Sequence, residues 1–441
     1  MRIGTRASII RARSHRLLAA IGCMLLALLP ALGAAGHALA AGATYRTSQV
    51  VARLNPASGA TIDAINATYG TSTLRQLAGS PGIYLLQTPG GKDAQLIAEA
   101  MATDLRLQFA EPNFIAQPPE ADPIRIKGFG SADPAPYTGQ YAASMLGLAR
   151  AQAIDRGQRA IVAVIDTGVQ PRHPALQAAL VAGYDMLDGD AQPDDTTNGI
   201  DDDDDGLVDE AAGHGTHVAG IIHLVAPAAR IMPLRAIDSD GTGDEFAIAR
   251  AIDFAISHGA NVINLSLGTP AESALFKDMA RAATRAGAVV VAAAGNIGSS
   301  QKQYPAATSC VLAITAIGPA DIKPDFANFG SWVDVAAPGV AIYSTIPQDA
   351  YAYWGGTSMA TPFVAGQAAL IHSLRPALNP REAAAVIVGS AQSLDAANPT
   401  YSGELGYGRV DIGASMALLA AGSPLAFGPT PLSGSCVAGD A

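Results

Sequence analysis

Short apolar runs alternate with helical stretches from about residue 140 onward, and this alternation limits the possible folds more than any other feature of the sequence. Four of the runs are apolar on both faces, as buried parallel strands are; they cover residues 161–165, 229–234, 262–267 and 288–293. Helical stretches such as 245–258 and 276–286 lie between them. Strands that alternate with helices predict an α/β fold with a doubly wound, mostly parallel sheet, whose sites lie at the carboxyl ends of the strands.

A smaller unit precedes this pattern. Residues 48–117 alternate as strand, helix, strand, strand, helix and strand, which is the split-βαβ order of a small α+β domain. A stretch rich in proline and glycine follows, as is typical of a linker. We therefore expect a small domain over residues 41–117, a linker over 118–139, the main domain over 140–420 and a C-terminal tail over 421–441.

The N-terminus has the pattern of an export signal. Five arginines within the first 16 residues precede an apolar stretch, and Ala38-Leu39-Ala40 matches the small-x-small pattern of a cleavage site. We interpret residues 1–40 as a signal peptide, which places the mature protein outside the cytoplasm, secreted or in the cell envelope, with no stable membrane span. A retained membrane anchor is the alternative, because the apolar stretch is nearly long enough to cross a bilayer. Cys310 and Cys436 remain after removal of the signal, so one disulfide is possible.

The acidic residues are clustered. The chain of 441 residues has a formal net charge of −11, which argues against a nucleic-acid partner and favours a bound cation or a basic substrate. In the densest run, Asp201, Asp203, Asp205 and Asp209 follow the pattern D-x-D-x-D-G-x-x-D, which alternates oxygen ligands and puts glycine at the turn. A full EF-hand loop would need a glutamate where Ala212 stands. We predict that these four aspartates hold a structural Ca²⁺ ion; a solvated acidic loop is the alternative.

Three residues suited to nucleophilic catalysis lie in three glycine-rich segments. Asp166 ends the first apolar run, His214 stands in GHGTHVAGII at the start of a helix, and Ser358 stands in GGTSMATPFVAG just before another apolar run. Each has a simple structural alternative, such as a helix cap or a core histidine. Together they fit one chemistry: a serine hydroxyl needs a histidine base, and a buried aspartate fixes that base's tautomer.

The segments IDTGV, GHGTHVAG and GTSMATP, in this order, resemble the three signature segments of the subtilisin-like serine proteases, and the resemblance extends over about residues 140–417. It implies an exported endopeptidase that is made as a self-cleaving preproenzyme and acts on proteins or peptides through an acyl-enzyme. Asp166, His214 and Ser358 would form the catalytic triad, and the Asn296 amide would donate to the oxyanion. A catalytically silent binding or adhesion protein with the same fold is the alternative.

The resemblance also implies the substrate cleft. Ser266, Leu267 and Gly268 would form one wall of the primary pocket, and the segment 240–245, which includes Gly241 and Gly243, would form the opposite side. Gln303 would lie near the pocket floor and favour medium-sized residues at the cleaved position. From the acidic residues in the segment 240–245 we expect a modest preference for basic residues upstream.

By the same resemblance, residues 48–117 look like an inhibitory propeptide, an intramolecular partner that folds against the catalytic surface with its last segment in the cleft. An independent adaptor domain is the alternative. The cut that releases the propeptide would fall in the linker, between about Ala116 and Pro136. We expect a monomer.

Overall fold

The computed structural model describes residues 43–119, 131–422 and 436. The predicted signal peptide over residues 1–40, residues 120–130 of the predicted linker and most of the predicted C-terminal tail lie outside the described residues. Within the described ranges, no helix is both long enough and apolar enough to cross a bilayer.

The N-terminal unit, residues 45–116, is a four-stranded antiparallel sheet with two helices. Its elements in chain order are β1 (Tyr45–Leu54), α1 (Ile62–Tyr69), β2 (Ser72–Gln76), β3 (Ile83–Gln87), α2 (Ala94–Ala102) and β4 (Leu107–Ala116). The strands lie in the order β2-β3-β1-β4, and neighbouring strands are antiparallel. The unit has a small core of its own, which includes Val50, Ile65, Leu86 and Met101.

The main domain alternates strands and helices, as its sequence predicts. Its elements in chain order are α3 (Ala135–Gly139), α4 (Tyr141–Met145), α5 (Leu148–Gln152), β5 (Ile161–Asp166), β6 (Tyr184–Asp185), α6 (His214–Val225), β7 (Arg230–Arg235), β8 (Gly243–Asp244), α7 (Glu245–Ser257), β9 (Val262–Leu265), α8 (Ala274–Arg285), β10 (Val289–Ala293), β11 (Val311–Ile317), β12 (Val335–Pro338), β13 (Ile342–Ile346), β14 (Ala350–Trp354), α9 (Thr357–Leu374), α10 (Pro380–Gly389) and α11 (Ile412–Ala420).

Seven strands form one parallel sheet in the order β12-β11-β10-β9-β5-β7-β6. Every residue of β9, β10 and β11 is buried, which explains why these strands are apolar on both faces. Helices α6 and α9 pack together against the sheet, and α7 and α8 form a second pair. The predicted doubly wound α/β fold with a mostly parallel sheet is therefore confirmed.

Strand β5 lies where the strand order reverses. The chain continues from β5 to β7 on one side and then returns to β9 on the other. In open α/β sheets a crevice forms outside the carboxyl ends of the strands at such a point. Asp166 is the last residue of β5 and therefore lies at the carboxyl end of this strand, beside the crevice.

Cys310 and Cys436 form a disulfide, with their Cα atoms 5.2 Å apart. Both cysteines are buried in the main core. The bridge holds residue 436, in the predicted C-terminal tail, against the loop that precedes β11.

Candidate active site

The carboxyl end of β5 meets the first turn of α6. His214 Nδ1 lies 2.7 Å from Asp166 Oδ1, and this oxygen also accepts a hydrogen bond from the Thr167 backbone N–H at 2.8 Å. Both side chains are buried, with 2% of His214 and none of Asp166 exposed. Because Nδ1–H donates to the carboxylate, Nε2 is the nitrogen that remains to accept a proton.

This close approach requires glycine in the helix. A Cβ atom on Gly215 would lie 2.1 Å from the carbonyl oxygen of Gly168 and 3.1 Å from the Cβ of Asp166. The first turn of α6 therefore rests directly on the end of β5 and the loop after it, and a side chain at this position would force the two apart.

Asp195, which no sequence motif marks, joins the same two elements. Its Oδ1 accepts hydrogen bonds from the Gly213 N–H at 2.9 Å and the Thr167 hydroxyl at 3.2 Å. Its Oδ2 accepts from the Thr216 N–H at 3.1 Å and the Thr216 hydroxyl at 2.5 Å. Burial raises the pKa of Asp195 to about 6, although these hydrogen bonds oppose the increase. One carboxylate thus fixes the helix start that carries His214 to the loop after β5.

Ser358 lies in the first turn of α9, which packs against α6. Its hydroxyl donates to the carbonyl oxygen of Ser266 at 3.1 Å, and the Ser266 hydroxyl donates to the carbonyl oxygen of Ser358 at 3.0 Å. Gly356 precedes the helix with φ 150°, a value that L side chains rarely adopt. The serine therefore sits at a helix N-terminus, where backbone N–H groups and the positive end of the helix dipole favour an anion.

Asn296 lies beside the same helix start. Its Oδ1 accepts hydrogen bonds from the Thr357 N–H and the Thr357 hydroxyl, both at 2.9 Å. The same hydroxyl accepts a hydrogen bond from the Gly295 N–H at 3.1 Å. Because the carbonyl side of the amide is fixed by the residue before Ser358, the NH₂ group is the donor that this side chain offers to its surroundings.

His217, the second histidine of the signature segment, is held in the core. Its Nε2 lies 3.1 Å from the carbonyl oxygen of Ala352, and its ring stacks on Trp354 with 4.8 Å between ring centroids. Burial lowers its pKa to about 3, so it is neutral at physiological pH. Trp354 also contacts the His214 ring, at 6.1 Å between centroids.

The end of β4 lies as an extended strand between two segments of the main domain. Ile115 and Ala116 pair with Asp244 and Gly243 of β8. On the other side, the backbone groups of Gln117 and Gly268 exchange two hydrogen bonds of 2.9 Å each. These two segments are the ones that the sequence analysis assigns to the substrate cleft.

Gln303 lies against this cleft. A Cβ on Gly268 would be 2.6 Å from the Cγ of Gln303, and a Cβ on Gly295 would be 3.5 Å from its Oε1. The residue after it, Tyr304, pairs with Thr269. Gln303 is therefore close both to the wall of the cleft and to the residue that precedes Asn296.

Two of the three acidic residues expected to attract basic substrate residues are buried. Asp240 and Glu245 are both fully buried, and burial together with the charge of Glu111 raises the pKa of Glu245 well above its usual range. Asp244 is partly exposed, but its carboxylate accepts from the Ala247 N–H at 2.9 Å and caps α7. Asp240, which is buried against the acidic run, therefore does not support the expected preference for basic residues upstream, whereas Glu245 is buried beside Glu111 of the N-terminal unit.

The acidic run brings three of its four predicted metal ligands together. Carboxylate oxygens of Asp201, Asp203 and Asp205 all lie within 4.8 Å of one another. Asp209 is not among them, because its carboxylate accepts from the backbone N–H groups of Asn198 and Gly199 at 2.8 and 3.0 Å and closes the loop. Three converging carboxylates fit a hard divalent cation such as Ca²⁺.

The acidic run is attached to the cleft through Asp240. The buried carboxylate of Asp240 accepts hydrogen bonds from the backbone N–H groups of Asp202 and Asp209. The position of the loop and that of the segment 240–244 are therefore coupled.

Serine hydrolases need a base that is oriented by a buried acid, and several α/β folds carry this combination. The order Asp166, His214, Ser358 along the chain is that of serine proteases of the subtilisin type. The chain belongs to the Subtilase family (Peptidase_S8), whose sequence profile matches residues 157–408. The resemblance that the three signature segments indicate is thereby confirmed.

Several relatives support this assignment. The chain is 41% identical to thermitase of Thermoactinomyces vulgaris, over 55% of this chain and 85% of thermitase. It is 45% identical to a thermophilic serine proteinase of Bacillus sp. (strain AK1), over 48% of this chain and 52% of that protein, so it spans about half the length of this relative. Among solved structures it is similar to fervidolysin from Fervidobacterium pennivorans, a keratinolytic enzyme related to subtilisin, with a TM-score of 0.69 and 25% identity over 86% of this chain and 62% of that one.

We predict that Asp195→Asn weakens both the fold and the site. Asparagine keeps one acceptor oxygen but presents an NH₂ group to the Thr216 N–H, and an unsatisfied buried donor costs about 1–3 kcal/mol. Thermal unfolding should show a lower Tm, and kcat on a peptide substrate should fall by on the order of tenfold or more, because His214 shifts relative to Asp166.

The neighbouring Asp194→Asn is the matched control, since Asp194 is half-buried and, among the described residues, only burial and nearby charges act on its carboxylate, with no hydrogen bond. Equal Tm and kcat in the two variants would contradict a positioning role for Asp195.

Proposed function

We propose that this chain is an exported serine endopeptidase, made as a self-cleaving precursor, that hydrolyses peptide bonds through an acyl-enzyme. The observation that carries the proposal is the buried hydrogen bond between Asp166 and His214 at the switch point of the sheet. Ser358, the proposed nucleophile, lies in the first turn of α9, the helix that packs against α6.

In this mechanism Nε2 of His214 takes the proton of the Ser358 hydroxyl as Oγ attacks the scissile carbonyl carbon. Asp166 keeps the imidazole in the required tautomer and stabilises the imidazolium. The tetrahedral oxyanion accepts hydrogen bonds from the N-terminal backbone of α9 and from the NH₂ group of Asn296. His214 then protonates the leaving amine, and a water molecule hydrolyses the acyl-enzyme by the reverse sequence of proton transfers.

Substrates are extended peptides that pair on both sides as a β-strand. The support is the position of residues 115–117, which make such pairs with residues 243–244 and with Gly268. Gln303 beside Gly268 shortens the primary pocket, so medium-sized residues fit at the cleaved position better than large aromatic ones. Binding by strand addition depends on backbone hydrogen bonds and therefore tolerates many sequences.

The N-terminal unit acts as an intramolecular inhibitor. Beyond occupying the cleft, it binds the starts of two helices of the main domain. The carboxylate of Glu111 accepts from the N–H groups of Ala274 and Leu275 and from the Ser273 hydroxyl, at 2.8–3.0 Å, and so caps α8. Asn113 accepts from the Phe246 N–H of α7 at 3.1 Å. An independent adaptor domain would not need to fill the cleft in this way.

Export is supported by the arginine-rich apolar N-terminus and by the disulfide between Cys310 and Cys436, since disulfides persist in oxidising compartments. A structural Ca²⁺ ion would be held by Asp201, Asp203 and Asp205. The ion would offset the mutual repulsion of these carboxylates and hold the acidic run against Asp240.

The first test is the nucleophile. Ser358→Ala, expressed in a host that lacks other proteases, should fold, hydrolyse no protein substrate and keep the N-terminal unit covalently attached, because the acyl-enzyme cannot form. Intact mass and hydrolysis of a denatured protein substrate measure both effects. The exposed Ser257→Ala should mature and act like the wild type; normal maturation of Ser358→Ala would refute the proposal.

A second prediction concerns pH. In the assembled protein burial raises the pKa of Glu111 to about 7, whereas in a separated, solvated unit it would be near its ordinary value of about 4.3. The assembled state therefore binds the proton more tightly. This contribution to assembly is complete below about pH 4.3 and is lost as the pH rises through 7. The N-terminal unit should then bind less tightly at pH 8 than at pH 6, and the buried Glu245 beside Glu111 acts in the same direction.

The affinity of the cleaved N-terminal unit is read from the recovery of activity after dilution. Glu111→Gln should flatten this pH dependence, while the exposed Asp63→Asn should leave it unchanged. An equally steep dependence in Glu111→Gln would assign the effect to another group.

A third prediction concerns the cation. Ca²⁺ should raise the Tm relative to a chelator. One site that binds the ion only in the folded state adds about 2.7 kcal/mol to the free energy of unfolding when free Ca²⁺ is at a hundredfold excess over Kd. Replacing Asp201, Asp203 and Asp205 by serine should abolish the response. Asp204→Asn removes a charge from the same run outside the cluster and should keep it. Identical melting of the wild type in calcium and in chelator would show that the run is only solvated.

A further inference from the structure

An open cleft of about 660 Å³ lies between the N-terminal unit and α8. Gln108, near the start of β4, lines it, whereas the other end of β4 enters the substrate cleft. The β2–β3 turn (residues 79–81) and β1 form one side and the outer face of α8 forms the other. Its charged and amide side chains are Arg53, Gln108, Asp278, Arg281 and Arg285.

Three guanidinium groups face one carboxylate in this cleft. Arg53 is paired with Asp278 across the boundary between the two units. Among the described residues, neither Arg281 nor Arg285 has a hydrogen-bond or ion-pair partner. They are four residues apart on α8, so they lie on the same face of the helix, where like charges repel.

The surplus of positive charge is local. The whole sequence has 27 basic and 38 acidic residues, yet here three arginines meet one aspartate. A position at the end of α8 accounts for Arg285, because cations are favourable near a helix C-terminus. It does not account for Arg281, while Arg53, which comes from a different part of the chain, already pairs with Asp278.

We propose that this cleft binds a soluble, multivalent oxyanion of the phosphate type, and that the bound anion holds the N-terminal unit on the peptidase. Planar guanidinium groups bind phosphate oxygens through paired N–H donors. Arg281 and Arg285 supply the unpaired charge, Arg53 supplies a third guanidinium from the opposite side, and the Gln108 amide is a neutral donor.

The site is complete only while the two units are assembled, because β1 contributes Arg53 and α8 contributes the other two arginines. A ligand that binds only the assembled state stabilises that state by mass action. Phosphate would therefore slow the release of the N-terminal unit. This consequence rests on the proposed function of that unit as an inhibitor, whereas the binding site itself does not.

The binding test uses the full-length Ser358→Ala precursor, which needs no activity. Titration of inorganic phosphate by calorimetry, at constant ionic strength set with chloride, should show one site and a phosphate-dependent increase in Tm. Arg281→Gln combined with Arg285→Gln should weaken binding at least tenfold. Arg156→Gln combined with Arg159→Gln is the matched control, since both arginines are exposed and the same two charges are removed.

Equal phosphate affinity in the two double variants would overturn the site. The exposed Arg285→Gln alone should show an intermediate loss, so that a folding defect in the double variant does not decide the result. Vesicles of phosphatidic acid should not bind the precursor more than vesicles of phosphatidylcholine do. Vesicle binding that the double variant abolishes would assign the arginines to a lipid headgroup and refute a soluble ligand.

A last measurement separates this inference from the proposed function. In the active protein, phosphate should delay the appearance of activity relative to chloride, and the Arg281/Arg285 double variant should lose the delay. Phosphate binding to the precursor without any delay would leave the site in place and refute the claim that the bound anion holds the N-terminal unit on the peptidase. A delay that persists in the double variant would refute the link between this site and release.

Discussion

The buried hydrogen bond between Asp166 and His214 is the interaction on which the remainder of the site depends. It joins the end of a central strand to the start of a helix, and neither side chain is in contact with bulk solvent. Two other features of the sequence allow this hydrogen bond to form. Gly215 lets the helix approach the strand, and Asp195 ties the helix start to the loop after β5 through four hydrogen bonds. A base placed this way is rigid, because the groups that orient it are themselves buried and bonded.

The N-terminal unit contacts the main domain in two ways, by backbone pairing in the cleft and by side chains that cap helices. Its final strand makes backbone hydrogen bonds in the cleft, and Glu111 and Asn113 bind the N–H groups at the starts of α8 and α7. The same contacts bury Glu111 near Glu245, so that assembly changes the proton affinity of acidic groups. A unit bound in this way is held tightly but responds to pH, and we propose that the arginine-lined cleft, further toward the C-terminal end of α8, adds sensitivity to anions.

Much of the fold could be predicted from local sequence. Strands β5, β7, β9 and β10 are buried at nearly every position, so their sequences are apolar on both faces. Such short continuous apolar runs indicate buried strands from the sequence alone. The positions of Asp166 at a strand end and His214 at a helix start also followed from local pattern.

Asp195 could not be found in this way, because it is 18 residues before the N–H group that it caps, and only the folded chain brings them together. Asp240 and Glu245 were expected to be exposed because charged residues usually are; their burial depends on the acidic run and on the N-terminal unit, both distant in sequence. Asp209 fits a spacing pattern, but its carboxylate closes the loop instead.

We propose that Ser358 is a nucleophile activated by His214. The most direct test is the rate at which a fluorophosphonate labels the mature wild type, with the modified residue identified by mass spectrometry of peptides. A single adduct on Ser358 is expected, with labelling slower by orders of magnitude in His214→Ala, because the hydroxyl then has no base. Labelling at another residue, or an equal rate in His214→Ala, would contradict it.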